Sequence, residues 1–253
     1  MTHVLAAIDD SPAAAGVLGA AQALARTLGT EVRGLHVRAG DARTAEAVAA
    51  HAGVAIEVVD GDAATRILDA TADPSVAVVV LGARAHRGGH RPGGHVAVAL
   101  MLGSDASVLM VPPDAQLPES GRFQRLLVPL AGEAENAETR AEIVHDLASV
   151  GVDVIAVHVF EPTSTPRFWD QPGHAAQGWA TEFLSSWCDE ADVDLHLRSG
   201  DVAGSILHVA AGEQADVIAL SWSQDLAPDR ARIVRDLLGR SDIPILLTPT
   251  GRP

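Results

Sequence analysis

The chain has 253 residues, 47% of them hydrophobic and 20% charged, with a formal net charge of -15. That balance excludes global disorder, and the acidity excludes a surface built for duplex nucleic acid, whose phosphates reward clustered cations. Lysine is absent and Cys188 is the single cysteine, which excludes a P-loop lysine, a Schiff base, an internal disulfide and any multi-cysteine metal centre.

Apolar runs alternate with amphipathic helical stretches along the whole chain, the pattern of a parallel α/β sheet. Strands are predicted at 3–8, 31–37, 54–59, 76–81 and 107–111, with helices near 12–28, 42–52, 62–72 and 94–102. Further strands follow at 125–130, 152–159, 193–197, 216–220 and 244–248. Their helices fall near 134–149, 174–191, 202–212 and 229–239.

This order is written twice. Ile8 matches Leu130, and His36-Val37 matches His158-Val159, both at an offset of 122. Gly61-Asp62 matches Gly200-Asp201, Ile67-Leu68 matches Ile206-Leu207 and Leu81 matches Leu220, all at an offset of 139. The difference of 17 is an insertion between the second and third strands of the second copy. Constant offsets over several elements mark an internal repeat. Two βαβαβαβαβ domains are expected, 1–113 and 123–253, joined by PDAQLPESGR.

The copies differ in charge. Residues 1–122 carry 9 Arg and 13 acidic residues, whereas 123–253 carry 9 Arg and 20. No Asp or Glu occurs between Pro74 and Ser104, and that window contains GARAHRGGHRPGGH from Gly82 to His95. An apolar strand, a glycine-rich basic turn and a helix together aim free N–H groups at an anion. The plainer alternative is a surface loop whose arginines offset nearby carboxylates.

Several short motifs recur in a fixed order. The first copy has Ile8-Asp9-Asp10-Ser11, Leu35-His36-Val37, Gly61-Asp62-Ala63, Leu81-Gly82-Ala83-Arg84 and Val108-Leu109-Met110-Val111-Pro112. The second has Gly200-Asp201-Val202, Ala215-Asp216-Val217-Ile218 and Pro244-Ile245-Leu246-Leu247. In order and spacing the chain resembles a tandem universal stress protein. The resemblance implies two tandem doubly wound five-stranded parallel sheets, Rossmann-like, forming a pseudo-dimer through the last strands; a homodimer is the alternative. It also implies an adenine nucleotide, ATP or a relative, bound without a metal required by the protein itself.

Residue by residue, the resemblance implies that Asp9 meets the adenosine portion and Val37 the base. Gly82, Arg84, Gly94 and His95 would serve the phosphates. The sequence departs from the family loop G-x2-G-x9-G-[ST]: Ala85 replaces the second glycine, His95 replaces the hydroxyl residue, and the spacing is one residue shorter. In the second copy Ala131 stands at the place of Asp9 and Ser221-Trp222-Ser223-Gln224 at that of Gly82-Ala83-Arg84-Ala85, so its site reads as lost, with Trp222 filling the crevice.

Other constellations read as structural. Asp10 or Ser11 is expected to cap the first helix. His86, His90 and His95 lack the spacing and nearby carboxylates of a metal site. Trp179, Phe183 and Trp187 recur every four residues, as a core stripe does, while Phe168-Trp169 between prolines reads as a lid or partner patch. No nucleophile–base motif occurs, and Cys188 lies beside Asp189 and Glu190. No apolar stretch reaches the ~18 residues that span a bilayer, and the N-terminus reads as a strand rather than a signal peptide.

The sequence reading is therefore a cytoplasmic stress-response sensor or signalling module, not an enzyme. It holds an adenine nucleotide in the first domain and acts on an unidentified protein partner, without nucleic acid or membrane. A nucleotide-free interaction module and a slow ATP hydrolase are the alternatives.

Overall fold

A computed structural model describes residues 2–38, 43–83, 94–130, 150–160, 193–227 and 231–250. The described chain forms two compact units. One comprises 1–123 with 222–253, the other 124–221.

The first unit opens with β1 (His3–Ala7), α1 (Ala14–Leu28), β2 (Glu31–Arg38), α2 (Arg43–His51) and β3 (Ala55–Asp60). It continues through α3 (Ala63–Thr71), β4 (Val76–Gly82), α4 (His95–Gly103) and β5 (Ser107–Val111). The second unit contributes β6 (Arg125–Leu130), β7 (Asp153–Phe160), β8 (Asp194–Ser199), α5 (Val202–Gly212) and β9 (Val217–Trp222), whose last residue, Trp222, belongs to the first unit. The C-terminal segment, with α6 (Arg232–Arg240) and β10 (Ile245–Pro249), packs in the first unit.

In the first unit the strands lie in the order β3-β2-β1-β4-β5-β10. The first five are mutually parallel, and β10 is antiparallel to β5. Strands covered on both faces read as continuous apolar runs, and Val4, Val79, Val80 and Leu109 are fully buried. Alanine-rich α1 buries Val17, Leu18, Ala21 and Leu24 and stops at Gly29, whose left-handed φ of 66° lets its N–H reach the Ala25 carbonyl.

In the second unit the order is β9-β6-β7-β8, again parallel, which repeats β4-β1-β2-β3. Local details repeat too. Asp62 caps α3 through the Thr65 N–H, and Asp201 caps α5 through the Gly204 N–H. Each cap follows a glycine at positive φ, Gly61 at 139° and Gly200 at 109°, a region that side chains other than glycine's enter only with strain. His36 Nδ1 lies 2.9 Å from the Ile8 carbonyl, and His158 Nδ1 lies 2.8 Å from that of Leu130. The recurring histidines are thus struts between the ends of neighbouring strands.

The last strands pair within this chain. Ile245, Leu246 and Leu247 face Met110, Leu109 and Val108, and the Ser107 and Thr248 hydroxyls lie 3.1 Å apart. The connection expected at 113–122 is docked onto α1: Arg26 donates to the Gly121 carbonyl and the Phe123 N–H donates to Thr27 Oγ1. Helix α6 starts later than the sequence pattern suggests, at Arg232. The helices expected at 134–149 and 174–191, and with them Trp179, Phe183, Trp187, Cys188 and Phe168-Trp169, lie outside the described residues.

Candidate functional site

In the first unit the strand order reverses between β1 and β4, because β2 and β3 lie on one side of β1 while β4 and β5 lie on the other. Chain segments leaving the carboxyl ends of two such strands diverge and leave a crevice. The register pairs Ala6 with Val80, so residues after Ala7 emerge beside Leu81 and Gly82.

A cavity of about 210 Å³ occupies that crevice, lined among others by Ile8, Asp9, Ser11, Val37, Gly82 and Gly94–Ala97. Five of the six site residues expected from the sequence, Asp9, Val37, Gly82, Gly94 and His95, line this one space. Arg84 lies outside the described residues, as do His86, His90 and Ala131.

Asp9 is exposed just beyond β1. Its Oδ1 accepts from the Ser11 N–H at 3.1 Å and from the Ser11 hydroxyl at 2.5 Å, so the turn itself holds the carboxylate. The neighbouring residues do not cap α1 as expected. The cap residue is Ala13, with no side-chain bond, because the chain makes a full turn first: the Ala14 N–H donates to the Ser11 carbonyl and the Ala13 N–H to Ser11 Oγ. Asp10 instead lies 3.7 Å from His36 Nε2.

On the opposite wall α4 begins at His95 after Gly94, whose φ of -65° and ψ of 168° any residue could adopt. Glycine contributes here by adding no side chain. The first intrahelical bond runs from the Val98 N–H to the Gly94 carbonyl. The N–H groups of the first turn have no intrahelical acceptor, and among the described residues no cap side chain takes one. They and the helix dipole make this wall of the cavity positive. The exposed His95 side chain acts on Asp62, helping to hold that carboxyl below its ordinary value, although the Thr65 bonds are the larger cause.

Sequence reasoning missed the floor of the cavity, where Ala63 and Ile67 of α3 join Ala13 and Val17. The Gly61-Asp62 cap could have signalled it, since it fixes where α3 begins. Trp222 has a partner in the first copy of the repeat. It is buried, and its Nε1 donates to the Met101 carbonyl in α4 at 2.7 Å. That bond reaches the last turn of α4, while the segment after β6 that would bound the second copy's crevice lies outside the described residues.

Among the described residues no cluster of three or more His, Cys, Asp or Glu could hold a metal ion. No described helix is long and apolar enough to cross a membrane.

No family model and no curated protein matches the chain. Solved structures do. A universal stress protein from Archaeoglobus fulgidus DSM 4304 superposes with a TM-score of 0.66 at 17% identity, covering 98% of this chain and 96% of that one. The chain has the universal stress protein fold. A protein from Pseudomonas aeruginosa UCBPP-PA14, whose universal stress protein designation is itself provisional, gives a TM-score of 0.66 at 14% identity over 98% and 93% of the two chains. A functionally unknown protein from Pseudomonas aeruginosa PAO1 gives 0.63 at 14% over 98% and 92%. Near-complete coverage of both partners means that the fold matched is that of the whole chain, with both copies of the repeat included.

Proposed function

We propose that this chain is a tandem universal stress protein, with domains 1–113 and 123–253, that binds an adenine nucleotide in the first domain. The observation that carries the reading is the cavity itself, with a hydrogen-bond-accepting carboxylate, Asp9, on one side and the uncapped start of α4 on the other. A carboxylate accepts from sugar or base donors, Val37 gives the base an apolar face, and the bare N–H groups after Gly94 take phosphate oxygens. His95 replaces a hydroxyl donor with an imidazole that donates when protonated.

The second domain, with Ala131 in place of Asp9, holds no nucleotide, giving at most one per chain. The protein works as a sensor or signalling module in the cytoplasm, presenting its liganded state to a protein partner without dedicated turnover. Titration calorimetry with ATP, ADP, AMP and cyclic AMP tests this. Asp9→Ala removes a charged hydrogen-bond partner worth about 1.5–3 kcal/mol, so affinity drops roughly 10- to 150-fold. No heat with any of the four nucleotides, or an Asp9→Ala variant that binds as the wild type does, would sink the reading.

A further inference from the structure

Behind the cavity lining lies a histidine–aspartate pair that ligand contact does not explain. His36 is 2% exposed, and neither it nor Asp10 lines the cavity, whereas their neighbours Val37 and Asp9 do. Its Nδ1 faces the Ile8 carbonyl at 2.9 Å. A carbonyl only accepts, so Nδ1 carries the hydrogen. Among the described residues the buried Nε2 has no hydrogen-bond partner, and it stands 3.7 Å from Asp10 Oδ2. In the neutral ring this nitrogen is a lone pair opposed to a carboxylate; taking a proton from solvent turns it into a donor aimed at the same oxygen.

The second copy supplies the contrast. His158 makes the same bond to the Leu130 carbonyl, but Gly132 stands where Asp10 does. The ring packs edge-on against Phe160, with centroids 4.5 Å apart. The copy that keeps the acid at the cavity also keeps the acid behind it.

Among the described residues, several charged groups on the elements around His36 have contacts of their own. Arg38 of β2 is 3.7 Å from Asp60 of β3, and Arg66 of α3 donates to the Asp60 carbonyl. The α1 strand-facing helix has Arg26, bonded to Gly121, as its sole charged residue, and His3 sits at the far end of β1. Glu46 of α2 is exposed.

We propose that His36 is a positioning residue for the nucleotide site: protonated, it draws Asp10 inward and thereby fixes the Asp9–Ser11 turn that presents the Asp9 carboxylate to the cavity. Ligand affinity is therefore higher in the form of the protein in which His36 carries the extra proton. The proposal rests on the nucleotide reading for its effect on affinity, whereas the coupling within the loop is independent of any ligand.

The test is carried out on the whole chain. Nitrogen-15 spectra of the imidazoles and amides are followed from pH 8 to 5.5 for the wild type and for Asp10→Asn. In parallel, ATP affinity is measured at both ends of that range. The Asp9 and Ser11 amides should shift with the same midpoint as His36 Nε2, and Asp10→Asn should abolish the shared midpoint. Wild-type affinity should gain about five-fold or more on the acid side relative to Asp10→Asn. Since the ATP phosphates titrate identically in both experiments, the ratio isolates the protein. Amides that ignore His36, or an Asp10→Asn variant that keeps the wild-type pH profile, overturn the proposal. Coupled amides with no ATP binding at any pH support the His36–Asp10 coupling and overturn the nucleotide reading instead.

Discussion

Replacing Trp222 by Phe tests the link between the C-terminal segment and α4. Met101 lies in the last turn of α4, where carbonyls have no intrahelical donor. Trp222 Nε1 supplies one at 2.7 Å, and the Gln224 side chain supplies another to Ser104 at 2.6 Å. The same Trp222 is held by its own carbonyl, which accepts from the Thr250 N–H at 2.9 Å. Phe leaves the Met101 oxygen without its donor beneath a buried ring, costing about 1–3 kcal/mol. The smaller ring leaves a void that adds about 1 kcal/mol. The sum, near 3 kcal/mol, lowers the thermal midpoint by roughly 6–12 °C for a chain of this size. Urea unfolding followed by circular dichroism measures the difference at unchanged slope. A change below about 0.5 kcal/mol, the ordinary effect of a surface substitution, would refute the capping role.

Two further predictions concern pH. Burial pushes the His158 imidazole below its ordinary 6.5, outweighing the opposing effect of its Leu130 bond. The unfolded chain therefore binds the proton more readily, and the stability that neutral His158 contributes is complete above about 6.5 and lost as pH falls below it. The urea midpoint should drop between pH 7.5 and 5.5, less steeply in His158→Gln; equal slopes would count against the burial argument. The Thr65 bonds hold the Asp62 carboxyl below its ordinary 3.8, so its contribution is present above that value and disappears as pH falls further. An Asp62→Asn variant keeps an acceptor but does not titrate, and its acid unfolding limb should be flatter than that of the wild type; coincident limbs would contradict this.

Much of the fold was legible because its signals are local. The apolar runs at β1, β4 and β5, the Gly61-Asp62 and Gly200-Asp201 starts of α3 and α5, and the constant offsets all sit within a few residues of what they specify. Asp9, Val37, Gly82, Gly94 and His95 could be grouped because strand order in a parallel sheet dictates which chain ends meet, and the resemblance supplied that order. Tertiary structure decided the rest. It placed Asp10 against His36, 26 residues away in sequence, instead of on a helix cap. It sent Trp222 to a carbonyl 121 residues earlier, and it set β10 antiparallel to β5. Those outcomes depend on which unpaired donors, acceptors and strand edges meet once the sheets have formed. Periodicity, caps and turns in a linear chain specify local shape, but they contain no information on such encounters.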